Sequence, residues 1–263
     1  MADEHALPRG LGGSEVSRSE VGVHRTTGSW TPTVHAFLQH LEDVGFRGAP
    51  RVLGIDAQDR EILAFIEGDV LADPTWSAGN ATPWPLWAQT DEALVASAQL
   101  LRELHEASAS FTPSDAIWKQ YEHAHLLPGE IVCHGDIGPH NTVYRDGVPV
   151  AFIDWETIRP NQRLIELGIA AWHYVPLGDD DYFARSGFGS TPDLPYRLHR
   201  FATSYGVTDP AAVIWGIQQA KQRSVEAMRY WRIKPSDGAQ LLRIVARELS
   251  WLNDATDDLL RAF

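Results

Sequence analysis

Residues Ile131-Val132-Cys133-His134-Gly135-Asp136-Ile137-Gly138-Pro139-His140-Asn141 combine a short apolar run with an acidic, glycine-containing loop. A second apolar run ends in the same way, at Val150-Ala151-Phe152-Ile153-Asp154-Trp155-Glu156. Short apolar runs that stop at polar, Gly or Pro residues are typical of buried strands. The pattern therefore predicts two strands that each deliver one aspartate to the same rim.

The residues between these runs predict how the two acids approach each other. Asp146-Gly147 is a two-residue hairpin turn between Thr142-Val143-Tyr144 and the run 148–153. Such a hairpin folds Asn141 back towards Asp154. Asp136 is then a candidate base, and Asn141 with Asp154 offers the oxygen ligands that suit a hard cation such as Mg²⁺.

The HGDxxxxN run, followed by an apolar strand and Ile153-Asp154-Trp155-Glu156, resembles the aminoglycoside phosphotransferase and choline-kinase-like family. The resemblance covers most of the chain and is weaker near the N-terminus. It implies an α+β, protein-kinase-like two-lobed fold, with a small antiparallel-sheet N-lobe and a larger, mostly helical C-lobe. The same loop occurs in kinases as an Asp and an Asn five residues apart, followed by a metal-binding Asp.

The resemblance also implies a role for each matching residue. Asp136 would orient the acceptor hydroxyl or take its proton. Asn141 and Asp154 would hold Mg²⁺ on the phosphates of ATP or GTP. His134 would brace the loop through hydrogen bonds, and Glu166 would do the same from the following helix, where the family usually has Asp.

The N-terminal part is expected to be a reduced nucleotide-binding lobe over residues 1–68, and residues 69–263 the helical lobe with the acceptor pocket. Gly10 to Gly13 is a candidate for a loop covering the nucleotide. A short hairpin is expected over residues 15–19 and 20–25, strands over 51–55 and 61–66, and a helix from Thr31 to Gly45. By resemblance, Phe65-Ile66-Glu67 would be the hinge that meets the adenine edge.

One departure from the family concerns the phosphate-binding cation. Kinase-like enzymes usually carry a lysine on the third N-lobe strand, paired with a glutamate on the next helix. The first lysine here is Lys119, and the expected helix position holds Val34 or His35. Arg25 is the best positional substitute, because guanidinium groups also bind phosphate.

The remaining chain is predicted to be largely helical. Apolar periodicity favours helices near 91–107, 114–127, 163–175, 193–205, 210–231 and 236–261. A loop is expected between the three aspartates at 179–181 and Pro195.

Composition restricts the class of function. The chain has 263 residues, one cysteine and a formal net charge of −13, which argues against nucleic acid as a partner. With no long apolar run and no signal-peptide core, we expect a cytoplasmic protein that does not enter membranes. The expected partners are a nucleotide and a small-molecule acceptor.

Two functions remain open on sequence alone. The first is a kinase that moves the γ-phosphate of ATP or GTP to a hydroxyl of an unidentified acceptor, such as an aminoglycoside-like compound, an amino alcohol or a sugar. The alternative is a degenerate kinase fold that acts as a binding or immunity-type protein without turnover. Intact Asp136, Asn141 and Asp154 favour the first, and the lysine-free N-lobe favours the second.

Overall fold

A computed structural model describes residues 4–7, 15–71, 82–119, 125–230 and 235–263. Its N-terminal part is a five-stranded antiparallel sheet in the order β1-β2-β3-β5-β4. The strands are β1 (His5–Ala6), β2 (Val16–Arg18), β3 (Val23–Thr26), β4 (Val52–Ile55) and β5 (Arg60–Leu63). The predicted hairpin before the first helix is present as β2 and β3. The candidate loop at 10–13 lies outside the described residues.

Helix α1 (Thr31–Asp43) connects β3 to β4. Val34, Phe37, Leu38 and Leu41 are buried, as their helical spacing predicts. Gly45 follows the helix with φ +86°, a left-handed conformation that ends helices and suits glycine.

Two small sheets carry the polar loops of the C-terminal part. Strands β7 (Ile131–Cys133) and β10 (Arg159–Asn161) pair with each other. Strands β6 (Asp69–Val70), β8 (Thr142–Arg145) and β9 (Val148–Phe152) form the other sheet, in the order β6-β8-β9. Asp146 and Gly147 have φ +50° and +78°, the left-handed pair that a two-residue hairpin turn requires, so the predicted hairpin is confirmed.

Six α-helices lie in the described chain beyond residue 71. They are α2 (Asp91–Ser108), α3 (Arg163–Tyr174), α4 (Asp180–Arg185), α5 (Leu194–Tyr205), α6 (Pro210–Tyr230) and α7 (Pro235–Leu259). None of the described helices has the length and apolar character that crossing a membrane requires. The α+β class with a helical C-terminal part agrees with the prediction.

Two local predictions were wrong. Residues 114–119 and 125–127 are not helical, because this segment is held by tertiary contacts: the Ile117 amide donates to Thr33 Oγ1 at 2.9 Å, and Trp118 is buried in the core. The region after Asp179 contains the short helix α4 instead of only a loop. The Asp179 side chain caps it by accepting from the Tyr182 amide at 2.9 Å.

The main core lies between α1 and the C-terminal helices. Phe37, Leu101, Phe152 and Trp155 are all fully buried within it. The β8–β9 hairpin and the loop after β7 therefore pack against this core, which fixes the positions of Asp154 and Asp136.

Candidate functional site

Asp136 follows β7 in a tight loop. Only glycine fits at position 135 of this loop. Gly135 has φ +86°, and a Cβ there would lie 2.2 Å from the Thr157 carbonyl oxygen. Asn141 Nδ2 donates to the Asp136 carbonyl at 2.8 Å and to its Oδ2 at 2.9 Å. The loop between the two residues is thus closed on itself, and the Asp136 side chain is half exposed.

Glu166, at the start of α3, holds this loop from below. Its two carboxylate oxygens accept from the backbone amides of His134 at 3.1 Å and Gly135 at 2.6 Å. His105 Nε2 lies 2.9 Å from Glu166 Oε2, and Tyr205 hydroxyl lies 2.6 Å from His105 Nδ1. Burial raises the pKa of this carboxyl, but the His105 hydrogen bond and the nearby charges outweigh it and lower the pKa to about 2.

His105, Cys133 and Glu166 offer ligand atoms within 4.8 Å of one another. Two of them, Glu166 and His105, use these atoms in the hydrogen bonds that hold the loop after β7. Glu166 is already used by two amides and His105, and His105 also contacts Tyr205. Burial, followed by the charge of Glu166, raises the pKa of the Cys133 thiol, so this side chain is neutral within the group. His105 was not among the predicted site residues, although its Leu-His pair at the end of a helix was a usable signal.

His134 lies fully buried under the loop. Its Nε2 is 2.9 Å from the Ile153 carbonyl oxygen, and its ring centroid is 4.6 Å from that of Trp155. Burial lowers its pKa, so a neutral ring donates to Ile153. The side chain therefore links the β7 loop to the strand that carries Asp154.

Asn141 and Asp154 come together at the open end of the β8–β9 hairpin. The Ile153 amide donates to the Asn141 carbonyl at 2.9 Å, which fixes the two chain segments side by side. Asp154 has φ +65° and ψ +60°, an uncommon conformation for a residue with a side chain. A carboxylate and an amide oxygen are hard donors, so this pair fits a cation such as Mg²⁺.

Arg25 on β3 reaches the same place from the sheet. Its Nη2 lies 2.5 Å from Asp154 Oδ1 and 3.3 Å from Glu156 Oε2. Its Nε lies 3.9 Å from Glu61 Oε1. Only 8% of the Arg25 side chain is exposed, so these three carboxylates determine its position.

The sequence reasoning missed three partners of this cluster. Glu61 on β5 faces Arg25, and His35 Nε2 of α1 lies 2.9 Å from Glu61 Oε2. Lys119 Nζ lies 2.5 Å from Glu156 Oε1 and 4.9 Å from the ring of Trp30. Arg25 and Glu61 sit on neighbouring strands, and Lys119 comes from an irregular segment, so no local spacing reveals these contacts.

The predicted hinge follows β5. Phe65 and Ile66 line a cavity of about 320 Å³, and the Arg18 guanidinium lies 3.5 Å above the Phe65 ring. The Glu67 carbonyl accepts from Arg145 Nε at 2.9 Å, which ties the hinge to the tip of the β8–β9 hairpin.

Imidazoles surround Asp136 on its other side. His140 Nε2 lies 3.6 Å from Asp136 Oδ1, and the His140 ring lies 5.5 Å from that of His173. The partial desolvation of Asp136 opposes its ionisation, but the contact with His140 and the charge of that ring hold the pKa of the Asp136 carboxyl below its usual range. Asp136 is therefore ionised at neutral pH.

Comparisons with solved structures identify the fold. Choline kinase from Cryptosporidium parvum Iowa II has a TM-score of 0.57 at 10% identity, over 99% of this chain and 92% of that one. An amicoumacin kinase in complex with AMP-PNP and Ca²⁺ has a TM-score of 0.58 at 11% identity, over 94% and 88% of the two chains. The fold is the two-lobed, protein-kinase-like fold.

Sequence comparison gives the family. The sequence model of the phosphotransferase enzyme family matches residues 114–200. The trifolitoxin immunity protein of Rhizobium leguminosarum bv. trifolii is 37% identical over 212 residues, which cover 79% of this chain and 76% of that protein. The chain belongs to the phosphotransferase enzyme family.

Proposed function

We propose that this chain is an active small-molecule kinase that transfers the γ-phosphate of ATP or GTP to a hydroxyl group. The observation that carries the proposal is the convergence of Asp136, Asn141 and Asp154 at one rim, with the loop clamped by Glu166. We divide the chain into a nucleotide-binding lobe over 1–68 and a lobe with the catalytic loop and acceptor pocket over 69–263.

The proposed chemistry depends on positioning and charge. Ionised Asp136 accepts a hydrogen bond from the acceptor hydroxyl and takes its proton as the phosphate transfers. Asn141 holds the Asp136 carboxylate in place through Nδ2. Asn141 and Asp154 would hold Mg²⁺, which neutralises charge on the phosphates when it is bound.

The remaining predicted residues support this reaction. Arg25 binds the phosphates as the substitute for the missing lysine, and its guanidinium already lies beside Asp154. The backbone of Phe65, Ile66 and Glu67 meets the adenine edge. His134 and Glu166 keep the loop rigid. The single, buried Cys133 and the net charge of −13 support a cytoplasmic protein that does not bind nucleic acid.

A test of catalysis replaces Asp136 by Asn, which keeps the shape of the side chain and removes the proton acceptor. With an acceptor found in a panel of aminoglycosides, amino alcohols, sugars and peptides, we expect kcat to fall by ~10² or more. The affinity for Mg-AMP-PNP should stay within about twofold, because Asp136 faces the acceptor. Product formation is followed by mass spectrometry of the phosphorylated acceptor.

Asp115→Asn, at an exposed carboxylate of the same lobe, serves as the matched control and should keep full activity. If Asp136→Asn turns over a verified acceptor as fast as the wild type, Asp136 is not the base.

A second candidate function is binding without turnover. It is supported by the relation to the trifolitoxin immunity protein and by the ion pair that joins Arg25 to Asp154. Under this function the protein confers immunity by holding a toxin, and no acceptor is phosphorylated. A wild type that binds no Mg-AMP-PNP in calorimetry would decide for this candidate.

A further inference from the structure

The buried guanidinium of Arg25 is enclosed by carboxylates from two different parts of the chain. Asp154 and Glu156, which follow β9, both approach Nη2. Glu61, on the neighbouring strand of the N-terminal sheet, approaches Nε from the other end of the group. Only Glu61 therefore holds Arg25 from within the sheet itself, among the ion pairs of the described chain.

Glu61 is opposite Arg25 in the register of β3 and β5. Directly opposed residues of antiparallel strands present their side chains on the same face of a sheet. The separation of 3.9 Å between Nε and Oε1 is an ion-pair contact but is longer than a hydrogen bond. Within the described residues, Arg25 Nε is buried without a hydrogen-bond partner, so a small shift towards Glu61 satisfies it.

His35 connects this pair to helix α1. Its Nε2 lies 2.9 Å from Glu61 Oε2, and only 7% of the Glu61 side chain is exposed. Helix α1 thus contacts the Arg25 guanidinium indirectly, through the His35 imidazole and the Glu61 carboxylate. A carboxylate on the helix itself would contact the guanidinium directly. The position of α1 and the position of Arg25 are linked by this chain of contacts.

Asp154 cannot be the lasting partner of Arg25 if it also binds the metal, as the proposed function requires. When Asp154 and the phosphates are engaged with each other, Arg25 needs a carboxylate that has no ligand role. Glu61 meets that need, because it is buried, lies on the strand next to Arg25 and is held by His35.

We propose that Glu61 and His35 are the positioning residues for Arg25, aligning its guanidinium with the nucleotide phosphates. The inference rests on the proposed function and makes a sharper claim about it. Removing the Glu61 charge should weaken the phosphate-dependent part of nucleotide binding and leave the adenosine part unchanged.

The test measures binding of Mg-AMP-PNP and of adenosine by calorimetry to Glu61→Gln, Glu61→Asp and His35→Gln. We expect Glu61→Gln to lose about tenfold in Mg-AMP-PNP affinity, the scale of one charged hydrogen bond, with adenosine affinity unchanged. Glu61→Asp should recover part of the loss, and His35→Gln should lose about threefold. Glu42→Gln, which removes an exposed ion pair of α1 with Arg51, is the control and should match the wild type.

A double-mutant cycle separates positioning from general damage. In an Arg25→Ala background, Glu61→Gln should change Mg-AMP-PNP affinity by less than about twofold, because no guanidinium remains to be aligned. Equal losses in both backgrounds, or equal losses for adenosine and Mg-AMP-PNP, would overturn the inference.

Each failure has its own signature. If the wild type binds no Mg-AMP-PNP, the proposed function fails, and this inference fails with it. If the wild type binds and Arg25→Ala does not, while Glu61→Gln and His35→Gln bind normally, only the inference is overturned. Should Glu61→Gln fail to fold by circular dichroism, His35→Gln at the partly exposed end of the same contact decides the question.

Discussion

At the scale of single residues, Glu166 carries the strongest structural role. It is fully buried, accepts from two loop amides and contacts His105. An ionised buried carboxylate with several donors is stable only while those donors remain, and losing such a group is costly. The loop that presents Asp136 therefore depends on the charge of one side chain on α3.

We predict that Glu166→Gln destabilises the protein by roughly 2–4 kcal/mol at pH 7, because the amide loses charged hydrogen bonds and faces a backbone donor with its own N–H groups. The pKa of Glu166 falls from 4.5 to about 2 on folding, so its contribution is complete above pH 4.5 and is lost as pH falls towards 2. The stability gap between wild type and variant should narrow between pH 5 and pH 3. Urea unfolding at pH 7, 5 and 3.5 measures it, and a gap independent of pH would contradict an ionised Glu166.

The site residues that sequence reasoning identified are those that stand at fixed spacing in a loop or directly after a strand: Asp136, Asn141, Asp154 and Glu166. Arg25 was predicted from its position as the substitute for the missing lysine, and the structure brings it to Asp154. Glu61 and Lys119 were missed as site residues because their partners are distant in the chain. A spacing pattern cannot show which distant charges a fold brings together.

At the scale of elements, helices α3 and α6 cross at a pair of glycines. A Cβ on Gly168 would lie 2.2 Å from the Gly216 carbonyl carbon, and a Cβ on Gly216 would lie 2.1 Å from the Leu164 carbonyl oxygen. The two backbones therefore touch, as small residues allow. Since α3 also carries Glu166 and His173, this contact sets the distance of the helix from the loop that carries Asp136.

We predict that Gly168→Ala or Gly216→Ala destabilises the protein by about 1–3 kcal/mol, because the added methyl group forces the helices apart. Gly238 lies in α7 with open space around its Cβ position. Gly238→Ala should be neutral or stabilising by up to ~1 kcal/mol, since alanine favours helix. Thermal unfolding of the three variants makes the comparison, and similar effects at all three positions would argue against a tight crossing.

Elements with a strong local signal were predicted well, and those set by tertiary contacts were not. The β8–β9 hairpin follows from Asp146-Gly147, and α1 follows from its apolar spacing. Residues 114–127 were predicted to be helical, but the Thr33 hydroxyl accepts a hydrogen bond from the Ile117 amide and Trp118 is buried in the core. Tertiary contacts override local propensity in such a segment.

At the scale of the whole molecule, nucleotide binding should raise the free energy of unfolding. A ligand that binds only the folded state at 100 times its Kd adds about 2.7 kcal/mol, which corresponds to a rise in Tm of several degrees for a chain of this size. We predict this rise with Mg-AMP-PNP and a smaller one when EDTA removes the metal, because the proposed ligands Asn141 and Asp154 then hold no cation.

Asp154→Asn should abolish the difference that Mg²⁺ makes, while asparagine tolerates the left-handed backbone at this position. Asp146→Asn, in the turn of the same hairpin, is the control and should keep the wild-type response. A magnesium effect that survives in Asp154→Asn would place the metal elsewhere.

The guanidinium at position 25 also has a consequence for chemical labelling. An arginine keeps its proton at any physiological pH and is a poor nucleophile, whereas a lysine amine can be acylated. Nucleotide analogues that carry an acylating group and mark the strand lysine of kinases would find no amine on β3 of this protein. Labelling of this kind would therefore not mark β3 of this protein, and reagents selective for arginine would be needed to label position 25.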